Sequence, residues 1–330
     1  MSTELRVATY RYEHTEALLD GRVPIDGADA TFETAGLVSD IFRRTVEGRY
    51  DVAEYGLTYF LRTFDLDDSP FLALPVFPNR NFRHSSVFVN TVAGISGPRD
   101  LAGRTIGEFA LFGHDPGVWI KGSFSDEYGL TPDQSRWVIG GTDRPVPAFD
   151  WLPQPVPEGV DVRHAADDET LGAMLAAGEI DALISVDVPR ALLDGSTRIA
   201  RLYPDYERVE RDYYRRTGIF PAMHVVAVRR ELATRTSLMT SVYRAFCESK
   251  EIAQQRYRQG ASKQHMGVIT PWFSSHFEEN RALLGEDWWP YGLGANRKAL
   301  DTFLRYHHEQ GLSKRLLTSE DIIVPALLDT

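Results

Sequence analysis

One segment, NRNFRHSS, places two arginines, a histidine and two hydroxyl side chains directly before an apolar run. Arg83, His84 and Ser85 adjoin residues 87–89 (VFV), and Arg80 lies three positions before Arg83. A guanidinium group is planar and donates two parallel hydrogen bonds to a carboxylate. We therefore predict an anion-binding segment that uses these residues. A solvated turn is the alternative for Arg80.

Residues 113–119 (GHDPGVW) predict the start of a helix. Asp115 has the residue type of an N-cap and Pro116 that of a first helical position, so the loop brings His114 to the helix amino terminus. The exposed N–H groups and the helix dipole favour a carboxylate there. We predict a functional role for His114. For Asp115, a purely structural role as the cap is the alternative.

Three further candidates lie at the ends of predicted elements. Glu54 follows a short apolar strand, and His224 lies within the apolar stretch FPAMHVV. Arg297 follows Asn296 at the start of a predicted helix. A histidine satisfied within the core is the alternative for His224, and an ordinary helix-start residue is the alternative for Arg297.

The sequence contains none of the common cofactor or metal signatures. There is no Walker loop, dinucleotide fingerprint, HExxH or GxSxG motif, and Cys247 is the single cysteine. We therefore predict neither an organic cofactor nor a metal. A metal held by His84, His114 and a carboxylate remains an alternative, because ligands distant in sequence converge in many clefts.

The overall charge argues against two classes of partner. Lys and Arg number 36 against 47 Asp and Glu, a formal net charge of −11, which repels nucleic acid and anionic membrane surfaces. A small anionic ligand is compatible with this charge, because a few arginines in a cleft reverse the local potential. The amino terminus has no apolar segment of the signal-peptide kind and no stretch reaches the length of a membrane span. We expect a cytoplasmic protein that forms a homo-oligomer.

Helix and strand patterns alternate along the chain, which is typical of an α/β fold. A helix, Gly-x-x-Asp and apolar strand unit occurs twice, around residues 48–51 and again around 178–181. This repeat predicts two similar lobes that enclose a cleft. We expect residues 1–90 plus 225–330 to form lobe 1, with a helical carboxyl-terminal part, and residues 91–224 to form lobe 2. The proline-rich residues 145–157 either wrap lobe 2 or rim the cleft.

Several of these segments resemble the 4,5-dihydroxyphthalate decarboxylase family. The resemblance rests on motifs that are specific in combination and extends over nearly the whole chain: RHSSVFV at 83–89, GHDPGVW at 113–119 with DEYG at 126–129, FPAMH at 220–224, WPYGLGANR at 289–297 and FLRYHHEQGLSKRLLT at 303–318. The family is in turn similar to type II periplasmic binding proteins, which implies a two-lobed fold with an interlobe cleft.

The resemblance implies decarboxylation of a hydroxylated aromatic dicarboxylate, 4,5-dihydroxyphthalate to protocatechuate and CO₂, in phthalate catabolism. Such a reaction needs an anchor for the retained carboxylate, a general acid for the ring carbon and a base near the phenol. A cytosolic binding protein for aromatic acids, without catalysis, is the alternative.

These roles are distributed over the candidate residues as hypotheses. Arg83 is assigned to carboxylate binding, with Arg80 or Arg297 as support. Proton delivery falls to His84 or His114. The residues left for the ring hydroxyls are Glu54 or Asp115, and Ser85 and His224 complete the substrate contacts.

Overall fold

The strands of the chain form two sheets in the computed structural model, which describes residues 3–148 and 150–330. In chain order, the strands are β1 (Thr3–Ala8), β2 (Ala28–Glu33), β3 (Val52–Gly56), β4 (Phe71–Leu74), β5 (Val87–Asn90), β6 (Thr105–Phe109), β7 (Arg136–Gly140), β8 (Asp161–His164), β9 (Ala182–Ile184), β10 (Ile199–Arg201) and β11 (His224–Arg229). The first sheet has the order β2-β1-β3-β11-β4 and the second the order β10-β5-β9-β6-β7-β8. This confirms the α/β class with two lobes.

Helices cover the sheets and make up most of the carboxyl-terminal part. They are α1 (Glu16–Leu19), α2 (Val38–Val46), α3 (Leu57–Arg62), α4 (Asp115–Tyr128), α5 (Leu171–Ala177), α6 (Arg190–Leu193), α7 (Tyr206–Thr217), α8 (Arg230–Ala233), α9 (Thr236–Ala261), α10 (Phe273–Leu284), α11 (Arg297–Glu309) and α12 (Ser319–Ile322). Within residues 3–148 and 150–330, none of these helices has the length and apolar character needed to cross a membrane.

The repeated unit occupies matching places in the two sheets. In the first, α2 leads into β3, which runs parallel to β1; in the second, α5 leads into β9, which runs parallel to β6. Gly48 and Gly178 both adopt positive φ, at 85° and 84°. The carboxylates of Asp51 and Asp181 each accept a hydrogen bond from a backbone N–H of that parallel neighbour, at 2.8 and 2.9 Å. The repeat is thus a structural duplication.

The chain crosses between the sheets twice. β4 lies in the first sheet and β5 in the second, so the first crossing lies between Leu74 and Val87. We expected lobe 1 to extend to residue 90 and so to include Val87–Asn90. This strand instead pairs with β9 and β10 of the second sheet. The return lies between Arg201 and His224. The remaining limits of the two lobes stay a prediction.

The two crossing segments pair with each other. Arg80 and Ala222 form an isolated antiparallel bridge, and the N–H of Met223 donates to the carbonyl of Asn79 at 2.8 Å. Residues that lie more than 140 positions apart in the sequence, at 79–80 and 222–223, therefore meet in space. This pairing places the segments around Arg83 and His224 side by side.

Candidate active site

A cavity of about 640 Å³ lies between the two sheets. Its lining comes from α2 and α3 on the first sheet's side and from the segments that follow β6, β7 and β9 on the second. Parallel strands present their carboxyl ends to ligands in this way. The crossing segments complete the lining. Arg83, His114 and His224 all line this cavity, so the structure brings these three predicted residues together.

Arg83 presents a buried cation to the cavity. The residue is 8% exposed, and its Nε donates to the sulfur of Met223 at 3.3 Å. In the part of the chain that the structure describes, no carboxylate oxygen lies within 4.0 Å of the guanidinium. Burial lowers the pKa of Arg83 to about 10, against the opposing charges of Asp115 and Glu210. The group therefore remains cationic at neutral pH and has donors available for an anion.

His224 and Glu54 form a buried pair beside this cation. His224 Nδ1 lies 2.6 Å from a Glu54 oxygen, and the carboxylate also accepts from the Thr9 hydroxyl (3.0 Å), the Tyr10 N–H (2.7 Å) and the Tyr12 hydroxyl (2.7 Å). Burial alone would raise the pKa of Glu54, but His224 and the other donors outweigh it and lower this pKa. An ionised Glu54 only accepts, so Nδ1 donates and Nε2 is the ring nitrogen left for the cavity.

The loop that carries His114 is fixed by a buried ion pair beneath it. Lys121 and Glu108 lie 2.6 Å apart, and Glu108 also accepts from the N–H of Gly113 at 3.0 Å. Burial lowers the pKa of His114 to about 3, helped by the charges of Arg83 and His224. The imidazole is therefore neutral at physiological pH. A neutral imidazole has one N–H donor and one acceptor nitrogen for hydrogen bonds.

Asp115 begins α4 and does not cap it. His114 precedes the helix, and no side-chain cap is formed there, so the predicted N-cap is wrong. Asp115 Oδ1 instead accepts from the N–H of Thr58, in the first turn of α3, at 2.6 Å. Burial raises the pKa of Asp115 to about 6, although His224 and Thr58 oppose the shift. The carboxyl joins α4 to α3 across the cavity wall.

The Asp115 carboxylate lies so close to the backbone of Gly56 that this position has no room for a side chain. A Cβ on Gly56 would lie 2.7 Å from Asp115 Oδ2. This oxygen is buried and has no hydrogen-bond partner among residues 3–148 and 150–330. Asp115 therefore lines the cavity while its carboxylate is directed at the start of α3.

Two predicted residues of the NRNFRHSS segment do not reach the cavity. The ring of His84 packs against Tyr203 and Tyr213, with centroids 5.4 and 5.2 Å away. The backbone N–H of Ser85 donates to Glu210 at 2.9 Å. The cause is the tight turn at His84–Ser86, which points successive side chains in different directions. The expectation that His84 and Ser85 lie in the cleft is therefore wrong.

Arg80 and Arg297 also lie outside the cavity. The Arg80 guanidinium donates to the carbonyls of Phe220 and Pro290, both at 3.0 Å, and to the amide oxygen of Asn296. It therefore binds chain segments to one another, beside a separate cavity of about 520 Å³. Arg297 starts α11 and pairs with Glu320 at 2.7 Å on the surface. Neither side chain is placed to support Arg83.

Other cavity residues were not predicted from the sequence. Arg144 is exposed and lines the cavity, as do Tyr59 and Trp151, whose rings stack at 5.6 Å. Arg144 and Trp151 lie immediately before and within the proline-rich stretch, which rims the cleft at this point. That stretch was the available signal, although it did not indicate which side chains turn inward.

The described residues do not bring His84 and His114 together with a carboxylate, so the alternative metal site is not formed. The grouping of possible metal ligands that they do contain is Glu207, His276 and Glu279 on the exposed surface. Both carboxylates of this group pair with Arg211.

The fold and the cavity define a class. The periplasmic aliphatic sulphonate binding protein of Escherichia coli superposes with a TM-score of 0.54 at 13% identity, over 98% of this chain and 92% of that one. The alkanesulfonate-binding protein of Xanthomonas axonopodis pv. citri gives 0.51 at 13% identity, over 98% and 97%. The chain therefore has the two-lobed fold of the periplasmic binding proteins.

The sequence comparisons give the family. A 4,5-dihydroxyphthalate decarboxylase of Comamonas testosteroni is 33% identical over 99% of this chain and 98% of its own length. One of Pseudomonas putida is 33% identical over 64% of this chain and 81% of its own. No family model matches the chain. The chain belongs to the 4,5-dihydroxyphthalate decarboxylase family.

Proposed function

We propose that this protein is a carboxy-lyase that converts 4,5-dihydroxyphthalate to protocatechuate and CO₂ in the degradation of phthalate. Membership of the family supports the reaction class. One observation supports the assignment of this reaction to the cavity. The buried Arg83 cation has no carboxylate partner among the described residues, and it lies beside the His224–Glu54 pair.

Arg83 is the anchor for the carboxylate that the product retains. A buried guanidinium binds a carboxylate through short, charge-assisted hydrogen bonds, and the low dielectric of the cavity strengthens them. The aromatic side chains Phe42, Tyr59 and Trp151 line the same cavity and suit a flat ring. An aromatic acid therefore fits both the charge and the walls of the site.

His224 is the proton carrier. Glu54 accepts a hydrogen bond from Nδ1 and so fixes the ring, which leaves Nε2 to face the substrate. A histidine oriented in this way transfers a proton to or from a reacting group. His224 thus takes the role that the sequence assigned to His84 or His114. His84 lies outside the cavity, and His114 lines it.

The reaction consumes one proton at the ring and releases one neutral molecule. The hydroxyl para to the departing carboxylate first gives its proton to water. The resulting phenolate pushes electron density onto the ring carbon that carries that carboxylate. That carbon takes a proton from His224, which forms the new C–H bond. The C–C bond then breaks, its electron pair restores the aromatic ring, and CO₂ leaves. The phenolate finally regains a proton.

The remaining predicted residues act through their neighbours. Glu54 is fully buried and does not line the cavity, whereas Asp115 lines it with an Oδ1 that already accepts from the N–H of Thr58. Glu54 orients His224, and Asp115 holds the start of α4 against α3. His114, which is neutral and lines the cavity, is left to hydrogen-bond a ring hydroxyl.

We also propose that the chain forms a homo-oligomer through the segment between α9 and α10. Met266, Ile269 and Trp272 are 82–100% exposed within seven residues there. A cluster of large apolar side chains in contact with water is typical of an interaction surface. The expected cytoplasmic location stays a prediction.

Turnover tests the proposed function. The protein is incubated with 4,5-dihydroxyphthalate, and CO₂ release and the absorbance of the product are followed together. Phthalate itself is the matched control, because it lacks the hydroxyl that accepts the electrons. Activity with the hydroxylated substrate alone, retained after treatment with a chelator, supports the proposal. Tight binding without CO₂ release would leave a binding protein of the same fold.

A further inference from the structure

Arg144 presents a second cation to the cavity. It follows β7 and lines the cavity together with Arg83, but its side chain is exposed. Within residues 3–148 and 150–330, no carboxylate oxygen lies within 4.0 Å of its guanidinium, including those of the cavity residues Asp115 and Asp187. Arg43, which also lines the cavity, is engaged by acidic neighbours on α2 and just after it.

The turn that carries Arg144 is held in place by the second lobe. The carbonyls of Gly141 and Thr142 accept the N–H groups of Leu171 and Gly172 at 2.8 and 2.7 Å. Asp143 Oδ2 accepts the N–H at the start of α6 at 3.0 Å. These contacts restrict the backbone on the amino-terminal side of Arg144.

The turn is also too tight for a side chain at its first residue. A Cβ on Gly141 would lie 1.8 Å from the carbonyl oxygen of Arg144. The backbone of Arg144 is therefore fixed while its guanidinium stays accessible to a ligand, an arrangement that reduces the entropy lost when an anion binds.

We propose that Arg144 is the specificity-determining residue that binds the second carboxylate, the one that departs, and so selects ortho-dicarboxylates over monocarboxylates. This inference rests on the proposed function. Arg83 is buried and suits the carboxylate that stays through the reaction. An exposed cation binds the departing carboxylate more weakly than a buried one would, so less attraction is lost when the C–C bond breaks, the ring keeps its electrons and neutral CO₂ leaves.

The assignment has a consequence for the product. After decarboxylation one carboxylate remains, on Arg83, and Arg144 has lost its ligand. The product therefore loses one of the two charge-assisted contacts that held the substrate, which favours its release over that of the substrate.

Binding of two unreactive probes tests the proposal without any need for turnover. Phthalate has two adjacent carboxylates and benzoate has one, and neither carries a ring hydroxyl. Calorimetry on the unchanged protein should show tighter binding of phthalate. In Arg144→Gln, phthalate affinity should fall roughly tenfold or more and benzoate affinity by less than about twofold, because only the dicarboxylate loses a charge-assisted contact.

A matched variant controls for the change in overall charge. Arg163 is exposed on β8 and does not line the cavity, so Arg163→Gln should alter neither affinity. Arg144→Lys should recover part of the phthalate affinity, since lysine keeps the charge but not the planar pair of donors.

Several outcomes would overturn the role of Arg144. Equal losses for both probes would mean that it acts without distinguishing them, and an unchanged phthalate affinity would mean that it makes no contact. Equal affinities of the unchanged protein for phthalate and benzoate would also exclude selection of dicarboxylates. A separate result, no CO₂ from 4,5-dihydroxyphthalate despite an intact preference for phthalate, would contradict the proposed reaction and leave Arg144 as a determinant of binding.

Discussion

The proposed mechanism gives Arg83 and His224 different roles, and substitutions should separate their contributions. Arg83→Gln removes the buried positive charge that binds the retained carboxylate in the proposed mechanism. Loss of a charge-assisted contact of this kind costs on the order of 2–5 kcal/mol. We expect a rise in KM of roughly thirtyfold or more with a smaller change in kcat, measured by steady-state kinetics on 4,5-dihydroxyphthalate.

A second arginine provides the control for Arg83. Arg297→Gln removes the same charge from a surface ion pair outside the cavity, and its kinetic constants should match those of the unchanged protein. A normal KM in Arg83→Gln, with circular dichroism showing a folded chain, would contradict the assignment of Arg83 as the anchor.

His224 should affect turnover more than binding. His224→Gln keeps a polar side chain but removes the group that transfers the proton, a loss that lowers rates by roughly a hundredfold to ten-thousandfold. We expect kcat to fall within that range with KM little changed.

Glu54 provides a readout of positioning. Glu54→Gln should depress kcat less than His224→Gln, because the imidazole is still present and only the carboxylate that orients it is lost. His84→Gln, normalised to the folded fraction, should leave kcat unchanged since His84 lies outside the cavity. If His84→Gln lowers kcat and His224→Gln does not, the assignment fails.

The neighbours Arg83 and His84 show how far residue types reveal a site. Two adjacent polar residues before a strand indicated a segment near the cleft, and Arg83 lines the cavity. The direction of each side chain depends on the turn at His84–Ser86, whose geometry is set by packing against α7. Asp115 shows the same limit, because its hydrogen bond goes to Thr58, 57 positions away. A local cap motif contains no information about that partner.

At the scale of elements, α4 holds the site because its first turns pack directly on β6. A Cβ on Gly117 would lie 1.7 Å from a Glu108 oxygen, so Gly117→Ala must displace the carboxylate that pairs with Lys121. Breaking a buried ion pair costs about 3–5 kcal/mol. We expect a loss of stability of this order in urea unfolding, together with reduced activity, because Glu108 also holds the loop that leads to His114.

Another glycine on the same lobe shows whether the effect is local. A Cβ on Gly97 would meet no heavy atom within 4 Å among the described residues, and the backbone there is extended, at φ −166°. Gly97→Ala should therefore change stability by no more than about 0.5 kcal/mol. An equally stable Gly117→Ala would show that Glu108 can move away from Lys121 at little cost.

The sequence predicts the order of helices and strands because each copy of the repeat contains the residues that end its helix and begin its strand. A glycine that ends the helix and an aspartate that meets the neighbouring strand recur at Gly48 to Asp51 and Gly178 to Asp181, and the structure pairs both strands in parallel. The sequence predicted the position of the first crossing less accurately. Val87–Asn90 has the pattern of any short apolar strand, and its sheet is decided by pairing with β9 and β10, which are about 100 residues away in the sequence.

At the scale of the whole molecule, the crossings explain how one site draws on both lobes. The pairing of residues 79–81 with 221–223 brings Arg83 beside His224. The parallel strands of the second sheet then supply His114 and Arg144 from the segments that follow β6 and β7. No one segment of the sequence contains the site, so its geometry depends on the relative placement of the lobes.

Buried histidines should make the whole fold sensitive to acid. Burial lowers the pKa to about 4 in His14 and His84, to about 3 in His114, and well below the usual value in His307. The unfolded chain binds these protons near pH 6.5, so below that pH it holds more protons than the folded chain and stability falls as pH falls. Asp115 has the opposite sign: its pKa of about 6 lies above that of an unfolded aspartate, so its contribution rises as pH falls from 6 to about 4.

The histidines outweigh Asp115 at pH 5. At pH 5, His14, His84 and His114 each cost at most about 2 kcal/mol relative to pH 7, and His307 acts in the same direction. Asp115 offsets about 1 kcal/mol of this cost, and Glu108 and Glu210, whose pKa burial also raises, act in the same direction as Asp115. We therefore expect the free energy of unfolding to fall by a few kcal/mol. Urea unfolding between pH 7 and pH 5 measures this slope directly. His84→Gln should reduce the proton uptake on unfolding by about one. A flat profile over this range would mean that the buried histidines are protonated within the folded protein, and His114 would then be available as a cationic acid in the cavity.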